Sequence, residues 1–246
     1  MHRLFLLTAL LTGLAGPAVA DTVQVAVAAN FAATLQTLAT DFQQQSGHVI
    51  SPSSGSTGKL YAQIRHDAPF DVFLAADRER PALLHAQGLA TAPVIYAIGR
   101  LALYAPAGEP RARLDGGDFT HLAIANPLTA PYGAAARAVL EGMGRWTMLQ
   151  PRLVMGENIG QTFQFTHSGN AELGFVALAQ VRALNIPQTQ YWTIPADRHP
   201  ALEQTAVLLR SSRVPEAASL FLEYLQSGAA RTIIERDGYG VPYDDR

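Results

Sequence analysis

Four segments of this chain combine small polar residues and glycine in a way suited to holding an anion. They are AANF at 28–31, SSGSTG at 53–58, NPLTAPYG at 126–133 and ENIGQT at 157–162. In each, a strand-like run ends where a helical pattern begins. A helix start leaves backbone N–H groups unpaired, and the helix dipole places about half a positive charge there. One such start is a weak anion site, whereas four on one surface could wrap an oxyanion with no cationic side chain. None of the four contains arginine, and the single lysine, Lys59, flanks only the second. Many donors and few cations point to recognition by neutral hydrogen bonds.

Other chemistries find less support. SSGSTGKL departs from a phosphate-binding P-loop at two positions: Ser53 stands where the first glycine is required, and Leu60 where a magnesium-binding hydroxyl is required. No G-x-S-x-G is present, although Ser54, Ser56 and Ser168 lie in glycine-containing loops. The seven histidines are scattered without metal-ligand spacing. Asp71 and Asp77 bracket the apolar run in DVFLAAD, where capping and salt-bridge roles are the common ones. Each anion-type junction also has an ordinary explanation. Asn30 and Asn158 suit helix N-caps, and Pro131 suits a helix entrance. The argument rests on their recurrence.

The elements that must position these junctions follow from periodicity. Residues 23–28 form an unbroken small-apolar strand. Phe31, Leu35, Leu38 and Phe42 then recur at helical spacing until Gly47. Strands at 48–52 and 72–75 alternate with a short helix around Leu60 and Ile64 and another across Leu83 and Leu84, ending at Gly88. The run 94–105 is long and almost continuously apolar, as one strand passing between two lobes would be. Alternation restarts with strands at 121–125, 153–155 and 173–176 and helices at 133–140, 160–167 and up to Leu184. After an irregular PADRHPALEQ segment come a strand at 206–210 and two helices, with Leu220, Phe221, Tyr224 and Leu225 facing the core on the first. Strand–helix alternation implies mostly parallel sheets covered by helices. Ligands of such sheets sit beyond the carboxyl ends of the strands, where all four junctions fall.

Composition bounds the setting. A basic start (His2, Arg3), an apolar run at 4–14 and Ala18-Val19-Ala20 form a secretory signal peptide cleaved after Ala20. The chain has no cysteine, which excludes disulfides, thiolate metal sites and a lipidated N-terminal cysteine. Export without lipidation implies the periplasm. Without Arg3, the 18 basic residues become 17 against 20 acidic. With no basic run, nucleic acid is not an expected partner, and no later stretch is apolar enough to cross a bilayer.

The segments AANF, SSGSTGKLYAQI, DAPFDVFLAAD, YAIGRLALYAP, IANPLTAPYG and ENIGQTFQFTHSGNAELGFVAL, in that order, resemble the periplasmic molybdate-binding proteins of ABC importers. The similarity spans essentially the whole chain after the signal peptide. It implies an α/β, two-lobed type II periplasmic-binding-protein fold, each lobe a mostly parallel sheet flanked by helices, with the ligand in the cleft between them. The lobes would be 21–100 plus 202–246, and 101–201. The resemblance implies a monomeric, non-enzymatic receptor that needs no cofactor. It would bind molybdate or tungstate as the oxyanion, with no direct protein coordination of the metal, and deliver it to a membrane permease. Carried over by motif position, the ligand is held by Ala29 and Asn30, by Thr57, and by backbone N–H groups of Tyr132 and Ile159. Many members carry a ligand-contacting tyrosine where this chain has Ala177. A subgroup pairs asparagine in the first loop with alanine here. Receptors for sulfate or another tetrahedral oxyanion, a sensory receptor domain and a periplasmic serine hydrolase are the competing readings.

Overall fold

The computed structural model describes residues 20–242, so the signal peptide read at 1–20 lies outside the described residues but for Ala20. The chain begins with β1 (Thr22–Ala28), α1 (Ala32–Ser46), β2 (Val49–Gly55), α2 (Thr57–Arg65), β3 (Val72–Ala75), α3 (Glu79–Ala86) and β4 (Val94–Gly99). It then crosses to β5 (Leu101–Tyr104), α4 (Pro110–Gly116), β6 (Leu122–Ala125), α5 (Pro131–Gly142), α6 (Trp146–Leu149), β7 (Leu153–Gly156), α7 (Ile159–His167), β8 (Leu173–Ala177), α8 (Leu178–Ala183) and β9 (Tyr191–Thr193). It returns through β10 (Leu202–Leu208) to α9 (Pro215–Leu225) and α10 (Gly228–Arg236).

Two five-stranded sheets result, ordered β2-β1-β3-β10-β4 and β7-β6-β8-β5-β9. In the first, β1 runs parallel to β2 and β3 while β10 is antiparallel. In the second, β6 runs parallel to β7 and β8 while β5 is antiparallel. The inner strands are buried on both faces, which is why they read as unbroken apolar runs. Along β1, Val23, Val25 and Val27 pack with Phe31, Leu35, Leu38 and Phe221. Ala26 faces the other way, toward Leu60, Phe73 and Leu84. The second sheet packs Leu103, Leu122, Ile124 and Phe175 against Ala136, Val139 and Leu140 of α5.

Register is what brings the junctions together. The last residue of β1, Ala28, pairs with the last of β2, Gly55, and the last of β6, Ala125, pairs with the last of β7, Gly156. Matching hydrogen bonds extend each pair by one residue: Ala29 N–H to Gly55 C=O at 2.9 Å and Asn126 N–H to Gly156 C=O at 2.8 Å. AANF therefore lies beside SSGSTG, and NPLTAPYG beside ENIGQT.

Three expectations are corrected. The apolar run at 94–105 is two strands, β4 and β5, which belong to different sheets and meet at Arg100. Gly99 and Arg100 break the apolar pattern at that point, but so short a break does not say which sheet each half joins. The returning strand starts at Leu202, inside the segment read as irregular, because Glu203 and Gln204 interrupt its apolar pattern. Leu220 is 46 % exposed, since the buried stripe of α9 is Ala217, Ala218, Phe221, Tyr224 and Leu225. The short elements α4, α6 and β9 had no clear periodic signal in the sequence.

Asp71 and Asp77 flank β3 but serve separate structural tasks. Buried Asp71 accepts from Gln24 N–H at 2.7 Å, Ser212 Oγ at 2.7 Å and Arg213 N–H at 3.0 Å, tying β1 to the chain after β10. Asp77 accepts from Arg80 N–H at 3.0 Å and forms an ion pair with the Arg80 guanidinium. Replacing Asp71 by Ala leaves three part-buried donors without their acceptor and is expected to cost roughly 2–4 kcal/mol in urea unfolding. A loss below about 1 kcal/mol would show that water replaces the carboxylate.

Candidate functional site

Three helices, α2, α5 and α7, start at the carboxyl ends of β2, β6 and β7 and point their unpaired N–H groups at one space. Their caps are built locally. Ser56 Oγ accepts from Lys59 N–H at 3.4 Å, and Asn158 Oδ1 from Gln161 N–H at 3.0 Å. Pro131 opens α5, where Ala130 C=O accepts from Gly133 and Ala134. These bonds occupy donors at the third and fourth helical positions and leave the leading ones. Among the described residues, the N–H groups of Asn30, Thr57, Tyr132 and Ile159 find no protein acceptor. The Thr57 hydroxyl accepts from Ala76 N–H at 3.1 Å, so its own proton is available to a further acceptor.

The cavity they surround is lined by Ala28, Ala29, Asn30, Gly55, Ser56, Thr57, Ala76, Ala130, Pro131, Tyr132, Asn158 and Ile159. All five residues singled out in the sequence, Ala29, Asn30, Thr57, Tyr132 and Ile159, are among them. No lining side chain is charged. The volume is about 10 Å³, room for roughly one water-sized sphere, so the two lobes stand shut against one another. A larger cavity of about 900 Å³ lies elsewhere, bordered by Arg100, Arg182 and His199, and contains none of the four junctions.

Contacts across the cleft hold this arrangement. Gly58 N–H donates to Thr129 C=O at 2.8 Å, and Arg80 Nη2 to Leu128 C=O at 3.2 Å. Glycine at 58 eases this approach: a Cβ there would crowd the backbone of Thr129, lying 3.0 Å from both its Cα and its carbonyl oxygen. Lys59 Nζ pairs with Glu157 across the same gap at 2.8 Å. The sequence suggests a solvent-directed lysine and a solvated first-turn glutamate. The structure joins the two, because each sits at the rim of a facing helix start.

The ordinary role suggested for Asn30 is also corrected. The N-cap of α1 is Phe31, with no side-chain cap, and the Asn30 amide turns away from the helix. Its Nδ2 donates to Gln204 Oε1 at 2.7 Å and lies 3.2 Å from the Tyr239 hydroxyl, which donates to Asn30 C=O at 2.7 Å. Burial pushes the hydroxyls of Tyr132, Tyr239 and Tyr96 up from the usual phenol range, so they remain protonated. On the other side, Gln180 Nε2 donates to Ile159 C=O at 3.1 Å while its Oε1 accepts from Ala177 N–H at 2.9 Å. Gln180, Gln204 and Tyr239 were not legible in the sequence as site residues. Each comes from a distant segment and carries no local motif.

Residues 23–240 match the family described as bacterial extracellular solute-binding protein. The chain is 42% identical over 235 residues to the molybdate-binding protein ModA of Azotobacter vinelandii, covering 93% of each chain. It is 39% identical over 238 residues to that of Rhodobacter capsulatus, covering 94% of this chain and 93% of the relative. Among solved structures, the Azotobacter vinelandii periplasmic molybdate-binding protein superposes with a TM-score of 0.85 at 38% identity, covering 90% of this chain and 100% of that one.

The Lys59–Glu157 pair is expected to add little to stability, because its side chains are 50% and 65% exposed. In a double-mutant cycle with Lys59→Gln and Glu157→Gln, the coupling should be about 0.2–1 kcal/mol at low salt and should vanish near 1 M salt. Coupling above about 2 kcal/mol that survives high salt would show a pair shielded from solvent.

Proposed function

The chain belongs to the bacterial extracellular solute-binding proteins, and from that premise we propose that it is a periplasmic receptor that binds molybdate between its lobes and delivers it to the permease of an ABC importer. One observation carries the reading. The cavity gathers unpartnered N–H donors from three helix starts and Asn30, with no charged side chain in its wall. Such a wall suits a fully deprotonated tetrahedral dianion. Its oxygens only accept, and the helix dipoles supply positive potential without a counter-ion.

The lobes are 21–100 with 202–246, and 101–201, and the ligand residues are Ala29, Asn30, Thr57, Tyr132 and Ile159. Asn30, Thr57, Tyr132 and Ile159 each give a backbone N–H, Ala29 shapes the wall, and Thr57 adds its hydroxyl. An oxyanion of five heavy atoms needs more room than the shut cleft offers, so it binds to separated lobes and is enclosed as they approach. Tungstate has the same charge and shape and binds the same donors. Nothing is transformed: the Ser56 and Thr57 hydroxyls are engaged by backbone N–H groups and act as donors and caps, not as nucleophiles.

Selectivity follows from the donor-only wall. Hydrogenphosphate brings an O–H that needs an acceptor. Glu157 and Asp77, the carboxylates that adjoin the lining along the chain, pair with Lys59 and Arg80 instead. Leaving that O–H unsatisfied costs about 1–3 kcal/mol. Sulfate carries no proton but is smaller, and cannot reach every donor once the lobes meet.

A thermal-shift series with molybdate, tungstate, sulfate and phosphate tests the function, since ligand binding raises the melting temperature by mass action. Large shifts are expected with the first two anions and small ones with the others. A larger shift with sulfate would reassign the receptor, and silence with all four alongside turnover of an ester would make it a hydrolase.

Replacing Thr57 by Ala should weaken molybdate binding about ten- to a hundredfold, the worth of roughly 1.5–3 kcal/mol for a hydrogen bond to a charged group. Thr57→Ser should retain most of the affinity. Calorimetry showing equal affinity for the alanine variant and the unaltered protein would remove this hydroxyl from the site.

A further inference from the structure

We infer that Gln204 and Tyr239 are positioning residues for the oxyanion site, holding Asn30 so that its N–H faces the cavity. The inference rests on the proposed function and adds residues that touch no ligand. Asn30 is clamped at two points: Tyr239 donates to its carbonyl at 2.7 Å, and Gln204 accepts from its side-chain amide at 2.7 Å. All three residues are buried, with Gln204 fully so. With the carbonyl and amide both engaged, the N–H is the donor that Asn30 has left for the cavity.

The orientation of this chain of bonds is fixed from its far end. Leu202 C=O can only accept, and Gln204 Nε2 donates to it at 2.9 Å. Gln204 must therefore turn Oε1 toward Asn30, and Asn30 must answer with Nδ2. The pairing of β10 with β4 shifts register between Gln204 and Thr205, an irregularity of the kind that re-aims a side chain. That shift lies on the strand by which the chain returns from the second lobe.

The same spot receives the second lobe. The Tyr132 hydroxyl lies so close to Gly99 that a Cβ there would be 2.3 Å from it, and 2.9 Å from Gln204 Nε2. Gly99 ends β4 and pairs with Leu202, so both connections between the lobes pass through this point. Asn30 from one lobe and Tyr132 from the other thus line the cavity at one end and converge on Gly99 and Gln204 at the other. Losing the Gln204 amide frees Asn30 to turn and leaves Nδ2 only its 3.2 Å contact with the Tyr239 hydroxyl.

Molybdate titration by calorimetry tests this with Gln204→Leu, Asn30→Ala and the double variant, each also melted without ligand. The unaltered protein must bind molybdate; if it does not, the oxyanion reading fails rather than the positioning role. Each single variant should lose about tenfold in affinity, and the double variant no more than the weaker-binding single, because Gln204 acts through Asn30. The melts without ligand separate this loss of affinity from a loss of fold stability. Wild-type affinity in Gln204→Leu, or losses that multiply in the double variant, would overturn the inference. Should Gln204→Leu fail to fold, Tyr239→Phe decides. It removes one hydroxyl and keeps the ring against Phe31, whose centroid is 5.2 Å away. Severalfold weaker binding with an intact fold supports the clamp, and unchanged binding refutes it.

Discussion

Backbone donors without acceptors are the constraint on which this structure turns. A buried N–H lacking a partner costs about 1–3 kcal/mol, and the shut cleft encloses several of them in a space of about 10 Å³. Solvent in so small a space cannot serve them all. The lobes are therefore fully compatible with closure only around something that accepts in several directions at once. A cation in the wall would attract anions whether the lobes were open or closed. Neutral donors act together only when the two sheets bring them face to face, which couples recognition to closure.

The direct contacts across the gap are modest by comparison. Among the described residues the polar ones include two hydrogen bonds to backbone carbonyls, from Gly58 and Arg80, and an ion pair exposed at the rim, beside apolar contact of Ala28 and Ala76 with Ala130, Tyr132 and Ile159. Surface pairs of that kind contribute about 0–1 kcal/mol. They can fix how the lobes meet without holding them shut against the cost of buried donors. A ligand that binds the closed arrangement better shifts the population toward it by its differential affinity.

The connections between the lobes give the closure its geometry. β4 passes to β5 through the single residue Arg100, and β10 returns beside it, so the two sheets share one short stretch of backbone. Packed behind the cavity, Asn30, Gln204, Tyr239 and Tyr132 fill that stretch with buried polar groups. Their hydrogen bonds span 174 and 209 residues of sequence.

The sequence by itself determined the elements and the kind of site. Apolar runs of strand length, helical spacing from Phe31 to Phe42, and glycine, proline and asparagine at the turns are local signals, and local backbone physics reads them directly. The anion-type junctions were legible for the same reason: a helix start exposes its donors wherever the helix lies. The same letters broke the apolar run at Gly99 and Arg100 without saying that its halves join different sheets, and left the true start of β10 unmarked, because a strand's partner is a property of the neighbour and not of the run. They also offered a helix cap as the ordinary role of Asn30 and placed Leu220 in the core. Only the tertiary structure decided that Asn30 is held by Gln204 and Tyr239, that Lys59 meets Glu157, and that four separate junctions close on one cavity. Those outcomes depend on which strand ends share a register and which faces of two sheets approach, and long-range pairing leaves no periodic trace in the residues that make it.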